Sequence, residues 1–314
     1  MIAADANNSR SITTFDIVEL RKLILGIYTE LPNNTSWRFV DGAYNFPDPL
    51  NPFQDVFPET KQIADMQISQ LNQDFVSVKV GDVNGTVVTS SLMQSQDRTS
   101  GQLLLDVADR RIKTGEVFAV NFRAAEKVRG YQFTLQFPEL EVVNVTPGAE
   151  MTERNFGVFN DRHCLTTSFD NESVQGEFTI TFRARKSGEL SRMLRVSSQI
   201  TKAEAYSADD LMGIALRFNG ATNTIVGQGF ELYQNQPNPW THRTQIGFYL
   251  PEAAEATLTV YDETGRLLYG TTGDFGRGHN AFTLERALLE TTGVLYYKVE
   301  TPTDSAVLKM IQTK

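Results

Sequence analysis

Cysteine is nearly absent from this 314-residue chain: Cys164 stands alone, so no disulfide can form within it. Histidine is almost as scarce. His163, His242 and His279 lie in separate segments, none with a second His or Cys at ligand spacing, so no motif for a His/Cys zinc site is present. Long hydrophobic runs are missing too. A membrane-spanning helix needs about 20 consecutive apolar residues, and clusters such as Leu23-Ile24-Leu25 are cut short by polar neighbours. Basic residues are outnumbered, 29 Lys+Arg against 38 Asp+Glu, for a net charge of −9. Nonspecific nucleic-acid binding needs basic surface to displace counterions from phosphates, so no nucleic-acid partner is expected. Catalytic signatures are lacking as well: there is no G-x-S-x-G, no Gly-rich phosphate loop and no H-E-x-x-H. The adjacent His163 and Cys164 would point to opposite faces of a strand, so the chain is not expected to be an enzyme. Residues 1–5 carry neither a charged n-region nor an apolar h-region and do not read as a signal peptide.

What is present is enough apolar and aromatic material for real cores, 40% hydrophobic residues with 20 Phe and 10 Tyr. The length suggests two or three domains, and three textures appear. Residues 12–31 space Phe15, Val18, Leu20, Leu23, Ile24 and Ile27 at helical intervals, with Thr13 or Thr14 as N-cap and Pro32 as a stop, which predicts a helix over 14–30. Residues 32–75 interleave prolines with Trp37, Phe39, Tyr44, Phe46, Phe53 and Phe57, the pattern of a packed excursion rather than a loose linker. Residues 75–80 alternate like a strand. After a polar linker at 89–100, runs with period two fill 101–218, the signature of an antiparallel sandwich. A second linker at 219–229 precedes a further β module at 230–314. Acidity is concentrated at the start, with 11 acidic against 6 basic side chains in residues 1–88.

That start contains a candidate cation loop. A calcium loop needs oxygen ligands at positions 1, 3, 5, 7, 9 and 12, because a hard cation takes six to eight oxygens. Counted from Asp5, those positions hold Asp5, Asn7, Ser9, Ser11, Thr13 and Asp16, and a helix begins inside the end of the loop. Ile12 fills the apolar eighth position, while Arg10 replaces the usual Gly at the sixth, where the turn is sharp. An Asx-rich turn capping a helix would need only Asn7 and Ser9.

The loop and its helix resemble the type I dockerin repeat, matching through the Asp-x-Asn opening, Asp at position 12, and the Leu20-Arg21-Lys22 and Leu25-Gly26 steps. Val80-Gly81-Asp82-Val83-Asn84-Gly85 is similar to the opening of another repeat, whose twelfth position is Met93 rather than an acid. Gly130-Tyr-Gln-Phe-Thr-Leu135 followed by Leu140-Glu-Val-Val-Asn-Val-Thr-Pro-Gly148 resembles the cohesin and carbohydrate-binding-module-like sandwich. The C-terminal stretch carries Gln234-Asn-Gln-Pro237-Asn238-Pro239, then Val260-Tyr261-Asp262-Glu-Thr-Gly265-Arg266, then Gly293-Val-Leu-Tyr296-Tyr-Lys-Val299, and ends in a short basic strand around Lys309. It is similar to the type A C-terminal sorting domain of the type IX secretion system.

These resemblances imply a mainly β, multidomain chain: two antiparallel β-sandwich modules, Ig-like or cohesin-like, preceded by a small helical dockerin-like segment with Ca2+ bound at 5–16. The boundaries read as 1–88, a linker at 89–100, 101–218, a linker at 219–229, and 230–314. The implied function is export and surface attachment of a secreted cell-surface protein such as an adhesin. Its partner would be the type IX secretion machinery at the outer membrane, with cleavage in or near 219–230 and a dockerin–cohesin-like contact either within the chain or between chains. The alternative implication is a module that binds a polysaccharide or a dockerin partner. Beside a sorting domain, the absent signal peptide leads to the expectation that the beginning of the protein is missing.

Overall fold

The structure is a computed structural model, and it describes residues 1–63, 69, 71, 73–85, 87, 101–207, 211–220, 224–289 and 291–313, without the side chains of 172–174. The linker expected at 89–100 and Met93 lie outside the described residues. The chain is mainly β and divides into two compact units, Met1–Gln96 and Asp97–Lys314.

In the first unit a short 3-10 turn, Ile2–Ala4, leads through the loop into the helix Thr14–Ile24. Thr13 and Asp16 form a reciprocal capping box, and Arg21 and Lys22 sit in the last turn, where positive charge suits the helix dipole. The helix is shorter than the predicted 14–30. Gly26 takes φ +70°, and the N–H groups of Gly26 and Ile27 turn back to the Leu23 and Lys22 carbonyls, closing the helix before Pro32 can act. Two antiparallel strands follow, Trp37–Asp41 and Phe75–Lys79. Val40 packs with Ile2 and Phe57 against Tyr44, Phe46, Phe53 and Val78, so the proline-rich excursion has its own small core.

The second unit holds two separate cores. In the first, strands Leu140–Pro147, Glu177–Ala184, Val117–Ala124, Gln102–Ala108 and Leu211–Asn219 lie side by side, and the last continues into Glu204–Tyr206, Val128–Gln136, Cys164–Val174 and Phe156–Phe159. Strict alternation buries Phe118, Val120, Phe122 and Ala124 while their neighbours face water. Phe122 stacks on Phe178 at 4.9 Å. One pairing departs from the antiparallel expectation: Gln102–Ala108 and Leu211–Asn219 run parallel. The first and last strands of this region meet in the same direction, which the long intervening chain allows.

The expected linker 219–229 is not a free spacer. Thr224–Val226 pairs with Leu216–Phe218, and Gln228 is buried. Past it, Glu231–Leu232, Arg243–Leu250 and Gly278–Glu285 form one sheet, and Leu267–Phe275, Ala254–Asp262, Gly293–Glu300 and Ser305–Gln312 a second. Both contribute to one core around Phe248, Leu258, Tyr297 and Met310.

The two cores are joined through a buried polar cluster. The Glu231 carboxylate accepts from the Ser198 N–H at 2.9 Å, Gln228 Nε2 at 3.0 Å and the Tyr233 hydroxyl at 3.2 Å. Burial and the neighbouring Glu231 charge push the Tyr233 phenol well above its ordinary value. Glu231→Ala removes the shared acceptor from the Ser198 N–H and the Tyr233 hydroxyl, while Gln228 Nε2 keeps the Tyr233 oxygen at 2.9 Å, so a loss of about 2–3 kcal/mol is expected for the second unit, measurable by urea unfolding. Glu231→Gln, which keeps an acceptor oxygen, should lose less.

Candidate functional site

The 5–16 loop is built around two buried carboxylates, Asp5 and Asp16. Asp5 accepts from the Ser9 and Arg10 N–H groups at 2.8 and 2.9 Å. Asp16 accepts from the N–H of Asn7 at 3.2 Å and of Thr13 at 2.7 Å, and from the Thr13 hydroxyl at 3.2 Å. Burial raises the Asp16 carboxyl, but these N–H and O–H donors outweigh it and hold the group below its ordinary value. The remaining oxygens join the same cluster. Asn7 Oδ1 accepts from the Ser9 N–H at 3.0 Å, and the Ser9 and Ser11 hydroxyls lie 3.0 Å apart. All six sequence-predicted ligands, Asp5, Asn7, Ser9, Ser11, Thr13 and Asp16, therefore belong to one connected network. Among the described residues no three His, Cys, Asp or Glu side chains gather as a metal cluster. The donor set is two carboxylates with amide and hydroxyl oxygens, all hard, which fits calcium rather than zinc or copper.

The turn is tight. Asn8 (φ +56°) and Arg10 (φ +63°) both take left-handed backbone, which costs an L-residue roughly 1–2 kcal/mol. At position 6 the loop thus adopts the conformation a glycine would give, but on an arginine. The second fragment packs at its foot: the Gly81 N–H donates to the Ala3 carbonyl at 2.7 Å, Val80 joins Ala6 and Leu31 in a small core, and Asp82 accepts from the Val87 N–H at 3.1 Å.

The C-terminal motif residues also converge, though on structure rather than on a ligand. The Asn238 side chain accepts from the Ile311 N–H at 2.8 Å, and Gln234 Nε2 donates to the Lys309 carbonyl at 2.8 Å. The Pro237 carbonyl accepts from Asn235 and Thr244 at 3.0 and 2.9 Å. Pro237 and Pro239 both follow cis peptide bonds. Trp240 is 1% exposed; its backbone N–H donates to the Ile311 carbonyl and its backbone carbonyl accepts from the Thr313 N–H. The 234–240 segment thus covers the free edge of the final strand, a role no local sequence signal discloses. Asp262, next to Tyr261, accepts from the Thr264 hydroxyl and N–H and from Arg266, around Gly265 at φ +83°. The Thr264 hydroxyl leads in lowering this carboxyl to about 2. Lys309 is exposed and stands opposite the exposed Tyr296.

The remaining candidates do not assemble. Cys164 is buried, which raises its thiol to about 11 and leaves a poor nucleophile. His163 sits in a left-handed turn beside Arg185, while His279 stacks on Tyr233. A cleft of about 260 Å³ opens on the outer sheet face beside Asp106, Arg110, Asn121, Arg123 and Asn219. Asp106 and Arg123 of its lining belong to a cross-strand row of alternating charge, Arg217, Asp106, Arg123 and Glu177. The Arg217 guanidinium grips Asp106 at 2.6 and 2.8 Å and lowers its carboxyl.

No family model matches the sequence, and no curated protein matches it. Solved structures similar to it include the sixth cohesin of scaffoldin B from Acetivibrio cellulolyticus, in complex with a Cel5 dockerin. That likeness has 14% identity and a TM-score of 0.29, covering 41% of this chain and 99% of that one. The seventh ScaB type I cohesin from Pseudobacteroides cellulosolvens is similar at 14% identity and TM-score 0.27, covering 41% and 94%. Dimeric latent PorU from Porphyromonas gingivalis is similar at 12% identity and TM-score 0.26, covering 70% of this chain and 19% of that one.

Proposed function

We propose that this chain is a non-catalytic module set that directs export by type IX secretion and attachment at the bacterial cell surface. Its first unit is then a dockerin-like, calcium-stabilised segment, followed by two sandwich modules, the second a sorting domain. The observation that carries the reading is the convergence of the motif residues on the final strand. Asn238 and Trp240 bond Ile311, Gln234 bonds Lys309, and Lys309 with Tyr296 is left on the outer face for a partner to read. At the loop, Asp5, Asn7, Ser9, Ser11, Thr13 and Asp16 would hold calcium, which when bound supplies a fixed positive centre that ties the loop to its helix.

The test is a reporter carrying the full chain, expressed behind an export signal in a type IX-competent bacterium. The full chain is expected to deliver it to the cell surface, and a chain ending at residue 218 to leave it in the periplasm. Equal surface delivery by both would sink the reading. A second reading, a module that binds a polysaccharide or a dockerin partner, draws support from the charged cleft beside Asp106 and Arg123. A glycan array and a pull-down with dockerin modules separate the two.

A further inference from the structure

The two left-handed residues of the loop, Asn8 and Arg10, are also tied through their side chains to the 32–63 segment. Arg10 Nη2 donates to the Phe53 carbonyl at 2.6 Å, and Asn8 Oδ1 accepts from Arg38 Nη1 at 3.0 Å. A third tie runs from Asn34 Nδ2 to the Asp5 carbonyl at 2.8 Å. The anchors are themselves fixed. Arg38 forms a two-pronged pair with Glu59, 2.8 Å on each arm, and lies 5.0 Å over the Phe57 ring, with its side chain only 10% exposed. The Phe53 N–H is held in a turn by Asn51 Oδ1 at 3.3 Å.

The backbone these ties hold is the one that aims the Ser9 and Arg10 N–H groups at the Asp5 carboxylate. Glycine would reach it freely; asparagine and arginine need help. We propose that the 32–63 segment is a clamp that pre-organises the cation loop, with Arg38 and the Phe53 carbonyl as positioning groups that offer no ligand themselves. The proposal rests on the calcium reading of the loop. It also accounts for an arginine at the sixth position, where the side chain holds in place a turn that glycine would make unaided.

Electrostatics gives the test a sign. Truncating an arginine near a cation site removes a like charge and, taken alone, tightens binding. Loss of the clamp weakens it. In calorimetric titration of the full chain with calcium, Arg38→Ala and Arg10→Ala are each expected to weaken binding about tenfold, equivalent to about 1.4 kcal/mol. Arg10→Gly, free to turn unaided, should stay within about threefold of the parent. Adding Asn8→Gly to Arg38→Ala should restore most of the loss. The clamp is overturned if either alanine variant binds as tightly as the parent, or if the glycine substitutions rescue nothing.

Hydrogen exchange at the Ser9 and residue-10 amides, without metal, separates this idea from the calcium reading. Protection that falls in Arg38→Ala and returns with Asn8→Gly supports the clamp even if the parent takes up no calcium, in which case only the calcium reading fails. Unchanged protection overturns the clamp.

Discussion

Replacing Asp5 and Asp16 together by alanine is expected to abolish a calcium-dependent rise in the melting temperature of the first unit. The parent should gain about 2.7 kcal/mol at a calcium concentration 100 times its dissociation constant. For a unit of this size each kcal/mol is worth about 4–8 °C, so the parent's rise should be on the order of 10 °C or more. The double variant should show none. Its metal-free melting point should also fall, because Asp16 closes the capping box with Thr13, a contribution of about 0.5–2 kcal/mol. Differential scanning calorimetry with and without calcium reads both effects, and a parent indifferent to calcium would end the calcium reading. Acid gives the same site a signature. The folded Asp16 carboxyl lies below its ordinary 3.8, so its contribution is fully present above that value. It is lost as pH falls through the depressed folded value, when the carboxylate releases the Asn7 and Thr13 N–H groups.

Trp240→Ala is expected to be the most damaging single change in the C-terminal region, at about 3–5 kcal/mol. The indole is almost wholly buried in the core it shares with Phe248, Tyr297 and Met310. Its backbone pairs with Ile311 and Thr313, so a collapsed site there also loosens the cover over the final strand. Urea unfolding should show the loss, and reporter export should fall with it. Lys309→Ala is the contrasting case. Lys309 is exposed, so stability should move by less than about 0.5 kcal/mol. A fall in export with Lys309→Ala and Tyr296→Ala combined, at unchanged stability, would mark this face as one that a partner reads. Unchanged export would leave the motif a purely structural device.

Much of this molecule was legible from local pattern. Val117–Ala124 alternates in sequence and alternates in burial, because side-chain direction in a strand depends only on the residue's own parity. The Thr13 cap and the oxygen-bearing positions from Asp5 to Asp16 were visible for the same reason: caps and loops are made by neighbours a few residues apart. The helix end was misplaced, since Pro32 drew the boundary while Gly26, a weaker signal, made it.

What the sequence determined by itself was therefore the β character, the helix start and the oxygen-bearing positions of the 5–16 loop. Tertiary structure alone decided the parallel meeting of Gln102–Ala108 with Leu211–Asn219, the strand at Thr224–Val226, and the hydrogen bonds that tie Asn8 and Arg10 to Arg38 and Phe53. The physical reason is range. Arg38 reaches Asn8 across 30 residues, Arg10 reaches Phe53 across 43, and Ile311 reaches Asn238 across 73. Each such contact needs a loop closed by other parts of the fold before it can form, so no window of neighbouring residues contains it.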